Sequence, residues 1–275
     1  MTDPSPLTRH VTQSIRDMLA GPPDGTTLML ALRQLAKWRS QIIANTVAQR
    51  DGPTLTHGPF SGMHYAVAAS EGAYTARRLG CYEASLVPVI EAIIAQNPAL
   101  IIDIGCAEGY YAVGLARRMP AARIMARDAN PQAQALCATL ALANGLADRV
   151  QIGGLIEGRD LDICTAQPTV IICDIEGAEA ELLNPGTAPG LLAADILVEV
   201  HESLRPGLLA LLTARFSPSH TIIRIDRKLD DAALPAWMED LSDMDRLLAL
   251  WEWRAGPTPW LWMESRATLA KPKVS

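Results

Sequence analysis

The sequence predicts an α/β protein: a doubly wound Rossmann-like sheet preceded by an N-terminal helical cap. Three observations carry that expectation. From residue 99 onward, short apolar runs alternate with segments of helical period, the pattern of βαβ units. The runs are nearly continuous rather than alternating, which suits parallel strands buried on both faces. Between the first run and its helix stands a glycine-bearing turn, Asp103-Ile-Gly-Cys-Ala-Glu-Gly109.

Taken in order, the chain before residue 99 reads as helical. Pro4, Pro6, Gly21, Pro22, Pro23 and Gly25 bracket one short helix over 8–19. Leu28, Leu32, Leu35, Ile42, Ile43 and Val47 recur near the helical repeat and predict a helix over 27–49, stopped by Asp51-Gly-Pro53. A Gly/Pro-rich loop over 51–64 follows, then a helix over 81–96 halted at Asn97-Pro98. Strands are expected over 100–104, 123–127, 150–152, 169–173, 195–200, 221–225 and 260–263. Helices are expected over 110–119, 131–144, 179–183 and 206–214. Residues 227–258 form an acidic, tryptophan-bearing insertion in which Ser242 caps an amphipathic helix reaching 247–253. The domain reading is a cap over 1–82 and a ligand-binding domain over 83–275 that carries this insertion.

Composition excludes several classes. With 275 residues, 49% hydrophobic and 20% charged, the chain can build a full core and is not disordered. The net charge of −6 removes the general electrostatic reason to expect a nucleic-acid partner. No run is long enough for a membrane span, and the first ten residues lack the apolar stretch of an export signal. Five cysteines, odd in number and without a CxxC pair, argue against a disulfide framework or structural zinc. The expected location is the cytoplasm. Five of the six tryptophans follow residue 236. Core or subunit-interface packing is their ordinary role, and walling an acceptor is the functional one; a homodimer is left open.

Ligands of doubly wound sheets sit beyond the carboxyl ends of the strands, so the residues just after each strand are the candidates. Gly105 and Gly109 permit a tight turn, and the helix start behind them offers free N–H groups. A dinucleotide G-x-G-x-x-G fails here: Ala107 fills the second glycine's place and Tyr110 stands at the last. The pattern that fits is D-x-G-x-G-x-G with Ala107 as the middle member. Asp128 then lies 19 residues beyond Gly109, where an acid can accept hydrogen bonds from both ribose hydroxyls. Asp174 and Glu176 are two apart after the fourth strand, as are Glu199 and His201 after the fifth, so each pair points one way in extended chain.

The 103–109 turn resembles motif I of class I S-adenosylmethionine (SAM)-dependent methyltransferases. Ile101-Ile-Asp-Ile-Gly105, Asp174-Ile-Glu-Gly-Ala-Glu179 and Ile196-Leu-Val-Glu-Val-His201 together resemble the FkbM-type branch, over roughly residues 99–226. The resemblance implies the class I methyltransferase fold, SAM as cofactor, and a reaction that is mostly O-methylation of small-molecule, sugar-like or natural-product hydroxyls. On that reading SAM meets Asp103, Gly105, Cys106, Ala107, Gly109, Asp128 and Asp174, with Glu83 near its amino group. His201 is the candidate general base, since its ordinary pKa lies near neutrality. Asp174 and Glu199 either orient it or hold a divalent cation. His64, Tyr82 and Glu176 are the candidate acceptor contacts, with the 57–64 loop either a lid or a plain loop before a helix whose first turn Glu83 favours. The rival readings are an NAD-dependent oxidoreductase and an inactive SAM-fold partner subunit. The absence of a basic, aromatic-interleaved stretch disfavours RNA methylation.

Overall fold

Seven strands form one sheet in the order β3-β2-β1-β4-β5-β7-β6. They are β1 (Leu100–Ile104), β2 (Arg123–Arg127), β3 (Val150–Gly153), β4 (Thr169–Cys173), β5 (Asp195–Glu199), β6 (His220–Ile225) and β7 (Trp260–Ser265). The computed structural model describes residues 3–67, 73–231, 234–254 and 256–269. β3, β2, β1, β4 and β5 run parallel, as their apolar runs predict. β7 departs from the parallel expectation: it lies antiparallel between β5 and β6. The chain leaves β6, passes through the 227–258 insertion, and re-enters from the same end of the sheet, which reverses the strand.

Helices α1 (Pro6–Met18), α2 (Gly25–Asp51) and α3 (Tyr74–Leu79) precede the sheet; α4 (Val87–Gln96), α5 (Tyr110–Arg118), α6 (Pro131–Ala143), α7 (Glu179–Leu182) and α8 (Leu208–Phe216) flank it. α9 (Asp243–Ala249) belongs to the insertion, and α10 (Arg266–Leu269) ends the described chain. Asn130 caps α6 and Ser242 caps α9 by accepting backbone N–H bonds from Gln132 and Asp245. The helix expected over 81–96 begins later. Glu83 adopts a left-handed φ of 49°, a 3-10 turn spans Ala84–Leu86, and α4 starts at Val87 with Pro88 in its first turn. The insertion helix ends at Ala249 rather than running to 253, and Trp253 turns left-handed at φ 63°.

Both faces of the sheet are buried. Ile101, Ile124, Val170, Ile172, Leu197, Trp260 and Trp262 face one core, which Leu55, Phe60, Met63 and Tyr65 of the 51–67 loop complete. Leu100, Ile102, Ile171, Ile196, Val198 and Met263 face the other, against Leu208, Leu212 and Phe216. A third cluster joins Ile43, Val47 and Leu79 to Met238, Ala249 and Leu250, so the insertion packs on α2 and α3. Three cation–π contacts reinforce this seam: Arg33 on Trp251 at 5.6 Å, Lys37 on Trp253 at 4.6 Å and Arg50 on Trp237 at 4.7 Å. Arg39 adds a two-pronged bond to Asp245 at 2.7 and 2.6 Å. Among the described residues no helix is long and apolar enough to cross a membrane.

Candidate active site at the strand ends

The sheet order reverses between β1 and β4, and the loops after both strands meet there. Gly105 takes a φ of 80°, and a side-chain carbon on it would stand 1.7 Å from the Asp174 carbonyl oxygen. Only glycine lets the two strand ends approach this closely. Ala107 donates its N–H to Asp128 Oδ2 at 2.9 Å and Asn130 donates to Oδ1 at 2.7 Å. Main-chain bonds thus fix the half-buried Asp128 carboxylate at the end of β2. Asp103 is buried beneath the turn, and its Oδ2 has no hydrogen-bond partner. Burial, opposed by the Ala112 N–H and aided by Asp174, Asp128 and Glu108, pushes its carboxyl up to about 7. A narrow cleft of about 20 Å³ runs over Asp103, Gly105, Cys106, Ala107 and Tyr110.

Beyond β4 and β5, Asp174, Glu199 and His201 converge, with one ligand atom from each within 4.8 Å of the others. Glu179, at the start of α7, accepts from His201 Nδ1 at 2.7 Å. That bond turns Nε2 toward Asp174 Oδ1 at 3.5 Å and Glu199 Oε2 at 3.7 Å. Burial acts to lower the His201 pKa, but the Glu179 bond and the charges of Asp174, Glu179 and Glu176 outweigh it and raise it. Burial and the Glu83 charge push Asp174 up to about 7 against the pull of His201 and Arg254. The imidazole and the Asp174 carboxyl therefore titrate as a pair.

A second polar layer closes over this pair from the insertion. Arg254 bonds Glu199, Glu83 and Thr258, and reaches Glu252 Oε2 at 2.9 Å. Arg227 also holds Glu252 at 2.7 Å, and the Glu83 N–H donates to Glu252 Oε1 at 3.0 Å. The Tyr111 hydroxyl donates a hydrogen bond to Glu83. Under the loop, Arg77 and Glu108 form a fully buried pair at 2.9 Å; Tyr65 also donates to Glu108, and the Arg77 guanidinium lies 4.2 Å from the Tyr82 ring centre.

Asp174, Glu176, Glu199, His201 and Tyr82 line a cavity of about 260 Å³, together with Arg33, Trp253 and Arg254. Its wall shares Arg77, Tyr82 and Asp174 with the narrow cleft, so the two spaces adjoin. Gly109 starts α5 at a φ of 93° and packs on Cys137. Glu83 lies in the ionic layer. His64 is not brought to either space: its main chain pairs with Thr54 and with the Asn144 side chain. Glu179, Arg254, Glu252 and the Arg77–Glu108 pair are site residues that spacing did not identify. Glu179 carried a signal, as the last acid of the 174–179 phrase; the others are long-range partners with no local mark.

No protein-family model matches the chain, and no curated protein matches it. Among solved structures the chain is similar to an O-methyltransferase from Bacillus cereus in complex with S-adenosylhomocysteine (SAH), at 13% identity. That match covers 94% of this chain and 97% of the other, with a TM-score of 0.47. It is also similar to the O-methyltransferase TomG of tomaymycin synthesis from Streptomyces achromogenes, in complex with SAM, at 14% identity. There 95% of this chain and 99% of the other are covered, with a TM-score of 0.43. A precorrin-6y C5,15-methyltransferase from Geobacter metallireducens shares 12% identity over 65% of this chain and 88% of its own, with a TM-score of 0.41. The fold assignment rests on the strand order itself: six strands running one way, a reversal at β1/β4 and β7 alone antiparallel, inserted between β5 and the edge strand β6. It is the Rossmann-like fold of class I methyltransferases.

Proposed function

We propose that the chain is a SAM-dependent methyltransferase that transfers the methyl group to a hydroxyl of a small molecule, in the manner of the FkbM-type branch. The observation that carries this reading is the Glu179–His201 pair, which leaves the imidazole Nε2 between Asp174 and Glu199 in the lining of the 260 Å³ cavity beside the glycine turn. The residues fit a SAM group on two counts. Asp103 Oδ2 is a buried acceptor without a partner at the cleft, suited to an amino-acid ammonium. Asp128 keeps lone pairs on two anchored oxygens for ribose hydroxyls. Gly105, Cys106, Ala107 and Gly109 supply the turn between them, and Glu83 stands behind it.

When bound, SAM supplies an electrophilic methyl on a sulfonium, which needs no acid catalysis. The chain's work is to hold the acceptor hydroxyl and remove its proton. Glu179 fixes the imidazole tautomer that presents Nε2 as the proton acceptor, and Glu199 and Asp174 stabilise the imidazolium that results. Tyr82 and Glu176 bound the acceptor space, while Arg33 and Arg77 from the N-terminal segment and Trp253 and Arg254 from the insertion form its outer wall. The five cysteines are free and buried, in keeping with a reducing cytoplasm.

Calorimetry tests this. The native chain should bind one equivalent of SAH, and Asp128→Ala should weaken binding at least tenfold. His201→Ala should keep that affinity and lose turnover with tritiated SAM across a panel of hydroxylated acceptors. No SAH binding by the native chain overturns the assignment. Turnover abolished by EDTA and restored by Mg²⁺ would instead make Asp174, Glu199 and His201 a cation site.

A further inference from the structure

The N-terminal half of α2 carries a concentration of exposed apolar side chains. Leu28, Met29, Leu30, Leu32 and Leu247 each leave between 55% and 65% of their surface exposed. A trough of about 500 Å³ lies between α2 and α9, floored by Met29, Ala36, Leu248 and Trp251, and among the described residues nothing fills it. Leu28, Leu32 and Leu35 sit at positions i, i+4 and i+7 on α2 and form a ridge along the rim of the trough, which Leu32 also lines.

We infer that this face binds the same face of a second copy of the chain, as a two-fold dimer. Ridge and trough occupy one patch, so a two-fold axis through it places each ridge in the partner's trough; this is the self-complementarity that an isologous contact requires. The area agrees. Half-exposed leucine and methionine side chains present on the order of 100 Å² each, so those five with Leu35 and Met244 supply roughly 700 Å². A standard interface uses about 800 Å² per partner, whereas the largest apolar patch on a monomer is about 300–600 Å². The charge pattern rules out a lipid surface as the intended occupant. No Lys or Arg occurs between Met18 and Leu32, and Arg33 and Lys37 beyond it lie over the Trp251 and Trp253 rings, whereas interfacial helices carry many cations free for headgroups. The dimer reaches the site as well, because Arg33 lines both the trough and the acceptor cavity. A partner seated on α2 thus buttresses the cavity's outer wall.

Sedimentation equilibrium of the full chain tests the inference, whatever reaction the chain performs. The native protein should sediment as a dimer at micromolar concentration. Leu28→Glu/Leu32→Glu should weaken the dimer at least a hundredfold, with an unchanged far-UV spectrum, because both side chains already face solvent. Leu142→Glu, an equally exposed leucine on α6, should leave the dimer intact. A native monomer, a dimer indifferent to the double variant, an open-ended polymer, or a monomer that instead binds anionic vesicles would each overturn it.

Discussion

At the scale of single residues, the site turns on how His201 is held. Its Nδ1 is committed to Glu179, and the surrounding carboxylates raise its pKa despite burial. A base with a raised pKa becomes competent only as pH climbs above its ordinary range, so turnover should increase with pH through neutrality. Replacing Glu179 with Gln removes the largest raising contact and leaves the burial that lowers the pKa. NMR titration can follow this directly, since the chain has only five histidines. The His201 midpoint should lie above the ordinary histidine value in the native protein and move down in Glu179→Gln. An unmoved midpoint would show that Glu179 does not set the imidazole's charge.

Among elements, Arg254 is the junction between the insertion and the strand ends. It neutralises Glu83 from the segment before α4, Glu199 from β5 and Glu252 from its own loop, all of them buried. Arg254→Met would leave buried Glu83 and Glu199 without this cation and Glu252 with Arg227 alone, a loss of about 3–5 kcal/mol. At about 2–4 °C per kcal/mol, the melting temperature at pH 8 should fall by on the order of 10 °C. Acidification protonates Glu252, whose carboxyl burial pushes up to about 7, so the deficit should shrink at pH 5. An equal deficit at both pH values would mean that Arg254 acts by packing alone. The elements themselves were largely legible. Strands β1, β4 and β5 announce themselves as nearly continuous apolar runs because both their faces are covered. The run of apolar residues over 81–96 continued the helical period through a place where Glu83 must turn left-handed, and periodicity does not register backbone sign. The direction of β7 was hidden for another reason: a strand's own residues do not record from which end the chain enters it.

Over the whole molecule, the proton inventory sets how stability answers to pH. Asp103, Asp174 and Glu252 all hold their protons up to about 7, whereas in the unfolded chain they release them near 4. A raised carboxyl pKa gives stability that is complete below the unfolded value and is lost as pH rises through the folded one. Without ligand, the melting temperature should therefore decline between about pH 4 and pH 7. The decline should be shallower in Asp103→Asn, and a profile identical to the native one would remove Asp103 from this account. Only part of this was readable in advance. Asp103, Asp174, Glu199 and His201 sit at strand ends and declare themselves by position, but Glu83 and Arg254, which act on Asp174, come from segments brought close only by the folded chain. His64 shows the converse, a histidine in a glycine-rich loop whose main chain is occupied by Asn144.

The clamp of cations over indole rings makes the protein luminous in a useful way. Trp253 borders the acceptor space under the Lys37 ammonium, and Trp260 borders the cleft by the glycine turn, 6.5 Å from the Tyr111 ring. A nearby ammonium and a neighbouring indole both alter an excited ring, and Trp251 stands 5.8 Å from Trp253. Whatever enters either space changes the surroundings of one of these two emitters. The colour and yield of the chain's own ultraviolet emission can thus report, without a label, which chamber has been filled.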